Sequence, residues 1–124
     1  MIRRGEIYDV NFGPARGSEQ AGRRPALVIQ NDIGNEFAST TIVAALTSLR
    51  RDEYPFHVHI SAKESGLSSG STVLLEQILT VTQERFGRRI GRLNLDLMAE
   101  VDEALHHSLG IRYCPSASTS PSRA

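Results

Sequence analysis

The sequence predicts a β-rich α+β domain. Short antiparallel strands curl into a small barrel, and one helix closes the chain. Three observations carry this expectation. Five segments between residues 6 and 82 have the apolar patterning of strands. One segment, residues 94–110, repeats its apolar positions at helical spacing. The chain has 124 residues, which suits a single core. Curling a sheet of short strands limits its exposed edges.

The elements follow in order. In "EIYDVNF", residues 6–12, Tyr8, Val10 and Phe12 alternate with Asp9 and Asn11, the pattern of a strand with one buried face. "RPALVIQ", residues 24–30, is almost continuously apolar and reads as a strand buried on both faces. "TIVAALT", residues 41–47, has the same character. "FHVHI", residues 56–60, puts Phe56, Val58 and Ile60 on one face and His57 and His59 on the other. "STVLLEQILTVT", residues 71–82, reads as a longer, bent strand or strand pair. The helix follows, with Leu97, Met98, Val101, Ala104, Leu105 and Leu109 as its apolar stripe. Asn94 serves as N-cap, Asp96 suits the first turn and Gly110 ends the helix. Residues 1–113 form the expected domain, and residues 114–124 are a Ser/Pro-rich tail expected to be disordered.

Composition narrows the function classes. Lys plus Arg and Asp plus Glu each number 14, so bulk charge does not mark a partner, and any nucleic-acid site must be a local patch. The single cysteine, Cys114, permits no internal disulfide and no cysteine zinc site. "MIRRGEIYDV" lacks the apolar stretch of a signal peptide, and no apolar run approaches a membrane span. A soluble cytoplasmic protein with no membrane partner is expected. His57 and His59 share a face at a spacing compatible with metal, but no third ligand is evident. No metal and no cofactor are expected. The chain carries no GxxxxGK[ST] loop, GxSxG elbow or HExxH pair.

The informative stretch is "GPARGSEQAGRRPALVIQND", residues 13–32. Its polar part is long for a hairpin connection, and such loops are disproportionately functional. Ser18, Glu19 and Gln20 offer donors and acceptors, and Arg16, Arg23 and Arg24 offer guanidinium forks for phosphate. This combination suits single-stranded nucleic acid, and equally an acidic protein surface. Arg24 directly precedes Pro25 and a buried strand, so its backbone is expected to be fixed. The plain alternative is a surface ion pair with Glu6 or Glu19. Thr47 ends the next apolar strand and sits beside Arg24 if the two strands are neighbours. Glu76 and Gln77 interrupt an apolar strand on opposite faces, so one of them is expected to point inward or into a groove. The histidine pair is expected to face solvent or a groove. The arginines at 85, 88, 89 and 92 read as a solvated basic run that also suits a nucleic-acid backbone.

In this order, "RGEIYDV", "GSEQAGRRPALVIQND", "TIVAALTS" and "LLEQILTV" closely resemble the MazF/PemK family of bacterial toxins. The likeness runs from about Arg4 to the helix ending near Leu109. Residues 17–32 are its specific part, and "VDEALHHSLG" supports it. It implies an SH3-like, plasmid-maintenance-toxin barrel with a C-terminal helix, assembled as a homodimer. It also implies a metal-independent, sequence-selective endoribonuclease that cuts single-stranded RNA, arrests translation and is neutralised by a MazE-like antitoxin. The family's catalytic arginine falls on Arg24 and its threonine on Thr47. Ser18, Glu19 and Gln20 fall on the loop that contacts RNA, and Glu76 and Gln77 match the segment beside the site. Arg16, Arg23 and His57 complete the candidate RNA contacts, although Arg23 stands where relatives carry an apolar or small residue.

The expected chemistry is attack of the substrate's own 2′-oxygen on the adjacent phosphorus. A 5′-oxygen leaves, giving a 2′,3′-cyclic phosphate and a 5′-OH end. Arginine stays protonated near neutral pH, so Arg24 is expected to stabilise phosphoryl charge and to serve less well as a base. The base is left open among Glu76, a histidine and water. Two other readings stand beside this one. A CcdB-like gyrase poison shares the fold but needs an apolar, aromatic tail, which the Ser/Pro-rich end does not supply. The other is an inactive homologue that only binds RNA or antitoxin.

Overall fold

A computed structural model of the chain describes residues 1–14 and 21–112. Among these, the elements are β1 (Glu6–Asn11), β2 (Arg23–Val28), α1 (Asp32–Phe37), β3 (Thr40–Ser48), β4 (His57–Ile60) and α2 (Ala62–Ser65). Then come β5 (Ser71–Thr82), a 3-10 turn (Gln83–Arg85), β6 (Phe86–Arg92) and α3 (Leu95–Leu109). The six strands form one antiparallel sheet in the order β4-β5-β3-β2-β1-β6. The β-rich α+β expectation holds.

The sheet is buried on both sides over its centre. On one face Ile7, Leu27, Ala44, Leu46, Val73 and Leu75 pack against Leu97, Met98, Val101 and Ala104 of α3. On the other face Val10, Ala26, Val28 and Val43 gather with Ile2 and with the partly buried Tyr8, Phe12 and Phe86. This explains why β2 and β3 read as continuous apolar runs. α3 begins at Asn94, whose side chain accepts from the Leu97 amide at 2.8 Å, and ends at Gly110 with φ 72°. Leu105 is only partly buried and Leu109 is exposed, although Ser108 in the last turn still donates to the Leu75 carbonyl of β5 at 2.7 Å.

Two glycines let the sheet curl. α2 follows the edge strand β4 and packs on the opposite edge, β6. Gly66, at the end of α2, has φ 84°, and a Cβ there would lie 2.6 Å from the Ile90 carbonyl oxygen. A Cβ on Gly91 would collide with the Ser65 carbonyl. Backbone meets backbone at this seam, which only glycine allows. A capping box of Ser61 and Glu64 starts α2, and the Ser61 amide bonded to Glu64 holds that carboxyl below its usual range.

β5 bends, as expected. Ala45 pairs with Leu74 but Ala44 pairs with Ile78, so residues 75–77 bulge from the β3 ladder. Three elements were not anticipated: α1, α2 and β6. The basic run is exposed, as expected, but it is ordered: Arg85 ends the 3-10 turn, and Arg88, Arg89 and Arg92 lie on the edge strand β6. Arg89 donates to Glu6 Oε2 at 2.8 Å, and Arg85 donates to the Asn11 carbonyl at 3.2 Å. The tail and Cys114 lie outside the described residues.

Candidate functional site

The β1–β2 hairpin carries the long polar loop. Phe12 donates to the Gly22 carbonyl and Gly22 to the Gly13 carbonyl, at 2.9 and 2.8 Å. Both glycines have positive φ, so the base of the loop is pinned by residues free to adopt that conformation. Arg16, Ser18, Glu19 and Gln20 lie outside the described residues.

The Arg23-Arg24 pair divides in two. Arg23 donates from Nε to Asp9 Oδ2 at 3.1 Å, tying β2 to β1. Glu6 is bonded to Arg89, the Tyr8 hydroxyl and the Arg3 amide, and Glu19, the other expected ion-pair partner of Arg24, lies outside the described residues. Burial, followed by the bond to Glu6, raises the Tyr8 hydroxyl above its ordinary range. Arg24 is exposed at the mouth of β2. The last ladder pair between β2 and β3 is Ala26 with Ala45, and the same register carried two residues on sets Arg24 opposite Thr47. Both line a cleft of about 360 Å³. Pro25, Leu46, Ser48 and Ser71, which pairs with Ser48, complete its strand side, and Leu67, Ser68 and Ser69 form the remaining wall. Sequence reasoning missed that wall. Its only trace is the Gly/Ser composition of "SGLSSGS", which resembles any turn.

β5 extends the site. Thr47 pairs with Thr72, and Thr72 with His59. The Arg50 amide donates to Thr72 Oγ1 at 3.0 Å, and Thr72 Oγ1 lies 2.8 Å from His59 Nδ1. His59 Nε2 lies 3.2 Å from the Asp52 carbonyl, which only accepts. The partners therefore assign the Nε2–H tautomer, with Nδ1 accepting from the threonine. His59 thus ties the segment after β3 to the centre of the sheet.

His57 departs from the expectation of an open histidine. Its side chain is 2% exposed, with Nε2 3.1 Å from Glu76 Oε2. Tyr54 and Phe56 stack in parallel at 5.1 Å, and both meet the His57 ring edge-on. Glu76 is exposed on the β5 bulge and Gln77 is partly buried. Arg50 bonds Asp52 at 2.6 Å, and this bond, with the charges of Asp52, Glu76 and the neighbouring Tyr54, holds its guanidinium above the ordinary arginine range. Among the described residues no three His, Cys, Asp or Glu side chains gather into a metal-binding group. No described helix is long and apolar enough to cross a membrane.

Residues 3–109 match the model of the "PemK-like, MazF-like toxin of type II toxin-antitoxin system" family. The chain belongs to the PemK/MazF-like toxin family. Endoribonuclease EndoA of Bacillus subtilis (strain 168) is 46% identical over 112 residues, covering 90% of this chain and 97% of that protein. MazF of Deinococcus radiodurans superposes with a TM-score of 0.74 at 31% identity, over 89% of this chain and 97% of that one. A mycobacterial endoribonuclease solved with its cognate antitoxin superposes at 0.77, over 92% and 100% of the two chains; at 23% identity that likeness bears on the fold. The barrel-and-helix fold of these MazF toxins is the fold of this chain.

Proposed function

We propose that this endoribonuclease toxin cuts single-stranded RNA at selected sequences by in-line attack of the substrate's 2′-oxygen. The observation that carries the reading is the convergence of Arg24 and Thr47 on one open cleft at the mouth of two buried strands. The 2′-hydroxyl gives up its proton as its oxygen bonds to phosphorus, the bond to the 5′-oxygen breaks and that oxygen takes up a proton, giving a 2′,3′-cyclic phosphate and a 5′-OH. Arg24 faces the phosphoryl oxygens, where negative charge builds, and its backbone is held by the sheet and by Pro25. A cation fixed before the reaction needs no reorganisation as that charge develops. Thr47 donates a second hydrogen bond to the same oxygens. The hairpin loop with Arg16, Ser18, Glu19 and Gln20 reads neighbouring bases, and Gln77 and the exposed Glu76, on the β5 bulge, contact the RNA beyond the cleft. Arg23, occupied by Asp9, acts on RNA mainly by shaping the hairpin. His57 acts through Glu76.

The reaction is metal-independent in this reading. The toxin works as a cytoplasmic homodimer, arrests translation by cutting mRNA, and is neutralised by a MazE-like antitoxin. MazE–MazF structures of a D. radiodurans relative at 30% identity support that last part.

The test is cleavage of a long single-stranded RNA in EDTA, with cut ends mapped and their termini identified. Discrete cuts bearing cyclic phosphate are expected. Arg24→Ala should lower the rate ~100- to 1,000-fold while the protein stays folded. Thr47→Ala should cost less, since it removes a neutral donor and leaves the cation. Retained cleavage of an RNA lacking the 2′-hydroxyl at the cut nucleotide would refute the mechanism.

A further inference from the structure

The cluster of Tyr54, Phe56, His57 and Glu76 is more elaborate than an ordinary sheet edge. Tyr54 is 50% exposed although its ring is held in a parallel stack on Phe56. Beneath these rings the His57 side chain is buried, and its Nδ1 has no hydrogen-bond partner among the described residues. A buried acceptor left unpaired lowers stability. His57 keeps that position while its other nitrogen grips a single oxygen of Glu76. The carboxylate accepts, so Nε2–H donates. Glu76 is thereby held through Oε2, and its side chain remains 38% exposed. His57 pairs with Leu74 on β5, two residues along from Thr72, which pairs with Thr47. Two strand spacings, roughly 10 Å, separate β4 from β3. The platform therefore stands one sheet edge away from the cleft.

Resting on the endoribonuclease reading, we propose that Tyr54 and the His57-held Glu76 form a subsite for one unpaired nucleobase carrying an exocyclic amine. The base lies flat on the open face of Tyr54, which Phe56 backs. Its amino group donates to Glu76 Oε1. Adenine, cytosine and guanine each present such a donor, whereas uracil has no exocyclic amine and offers only its N3–H, flanked by two carbonyl oxygens that a carboxylate repels. The subsite thus selects against uracil at one position of the recognised RNA. His57 is a positioning residue, which orients the carboxylate and does not touch the RNA.

A plainer role for Tyr54 is to cover His57, and leucine would also provide cover. The experiment compares wild type with Tyr54→Phe, Tyr54→Leu and Glu76→Gln on a randomised single-stranded RNA. Cut sites are mapped, kcat and KM are measured, and unfolding curves verify the fold. Tyr54→Phe should stay within about threefold of wild type. Tyr54→Leu should lose roughly 10- to 100-fold in kcat/KM, mainly by raising KM, because stacking away from the reacting atoms binds ground and transition states alike. Glu76→Gln should admit uracil at one position that excludes it in wild type. A folded Tyr54→Leu protein with wild-type kinetics, or a Glu76→Gln protein with an unchanged recognition sequence, would overturn the subsite. If wild type cuts no RNA at all, the endoribonuclease reading itself fails. The subsite is then decided by anisotropy of a fluorescein-labelled single-stranded RNA: weaker binding by Tyr54→Leu but not Tyr54→Phe supports it, and equal binding by all three refutes it.

Discussion

Two adjacent arginines do different work because successive residues of a strand point to opposite faces. Arg23 is committed to Asp9 of the neighbouring strand, and Arg24 is carried to the cleft. The extended backbone favoured before proline helps to aim Arg24, and the buried Ala26-Leu27-Val28 run anchors it. A second residue-scale device fixes the N-terminus. Asp32 Oδ1 accepts from the Arg4 amide at 2.7 Å and from Asn35 Nδ2 at 3.2 Å. The Arg4 amide, followed by the Asn35 bond, holds the Asp32 carboxyl below its usual range. A carboxyl whose pKa is lower in the folded than in the unfolded state adds stability above its unfolded value, and loses it as pH falls through the folded value. Wild type should therefore be more stable than Asp32→Asn near neutral pH, with the gap closing as pH drops through and below the usual carboxylate range. Denaturant midpoints of the two proteins at a series of pH values measure this. A gap that stays constant into strong acid would mean that the ionised form of Asp32 contributes nothing.

At the scale of elements, α3 is the clearest case of local sequence agreeing with the fold. Its N-cap, its apolar stripe and its terminal glycine all point to the same 15-residue helix. Asn94→Ala should remove the bond to the Leu97 amide and destabilise the protein by ~1 kcal/mol, read as a shift of the denaturant midpoint at unchanged slope. β1 to β5 were legible for a similar reason, since burial on one or both faces leaves a periodic or continuous apolar trace. β6 was not. It is an edge strand whose Arg88, Arg89 and Arg92 meet solvent and whose Gly87 and Gly91 make room for neighbours, so no alternation records it. α1 and α2 span six and four residues, too short for a period to emerge. The site divides along the same line. Arg24 and Thr47 sit on strands whose register can be anticipated. The burial of His57 depends on Tyr54 and Phe56 folding back over β4, and the remaining wall of the cleft depends on a turn. Both are tertiary arrangements without a local pattern.

At the scale of the whole molecule, the cleft depends on how the barrel is held shut. The wall formed by Leu67, Ser68 and Ser69 hangs between Gly66 and the start of β5. Ser65 is fully buried; its hydroxyl donates to the Ser61 carbonyl at 2.9 Å and accepts from the Leu67 amide at 3.1 Å. The wall is thus fastened to α2, and α2 is fastened to β6 across the glycine seam. Gly66→Ala should disturb both junctions. The residue has φ 84°, and the new methyl would press within 2.6 Å of the Ile90 carbonyl oxygen. Left-handed backbone alone costs a non-glycine residue about 1–2 kcal/mol, and the backbone contact adds to it. A loss of about 2 kcal/mol or more is expected, with cleavage falling roughly 10-fold or more in protein that remains folded, because a small misplacement of a site wall is enough to slow catalysis. Gly110→Ala supplies the comparison. Gly110 has φ 72° but nothing within 4 Å of a Cβ, and it lies at the end of α3, which contributes no residue to the cleft lining. It should show only the backbone penalty and leave cleavage unchanged. Paired unfolding and cleavage measurements therefore separate strain from seam. If Gly66→Ala behaves like Gly110→Ala, the cleft stands without the α2–β6 junction; if it alone loses activity, barrel closure and the cleft are one mechanical unit.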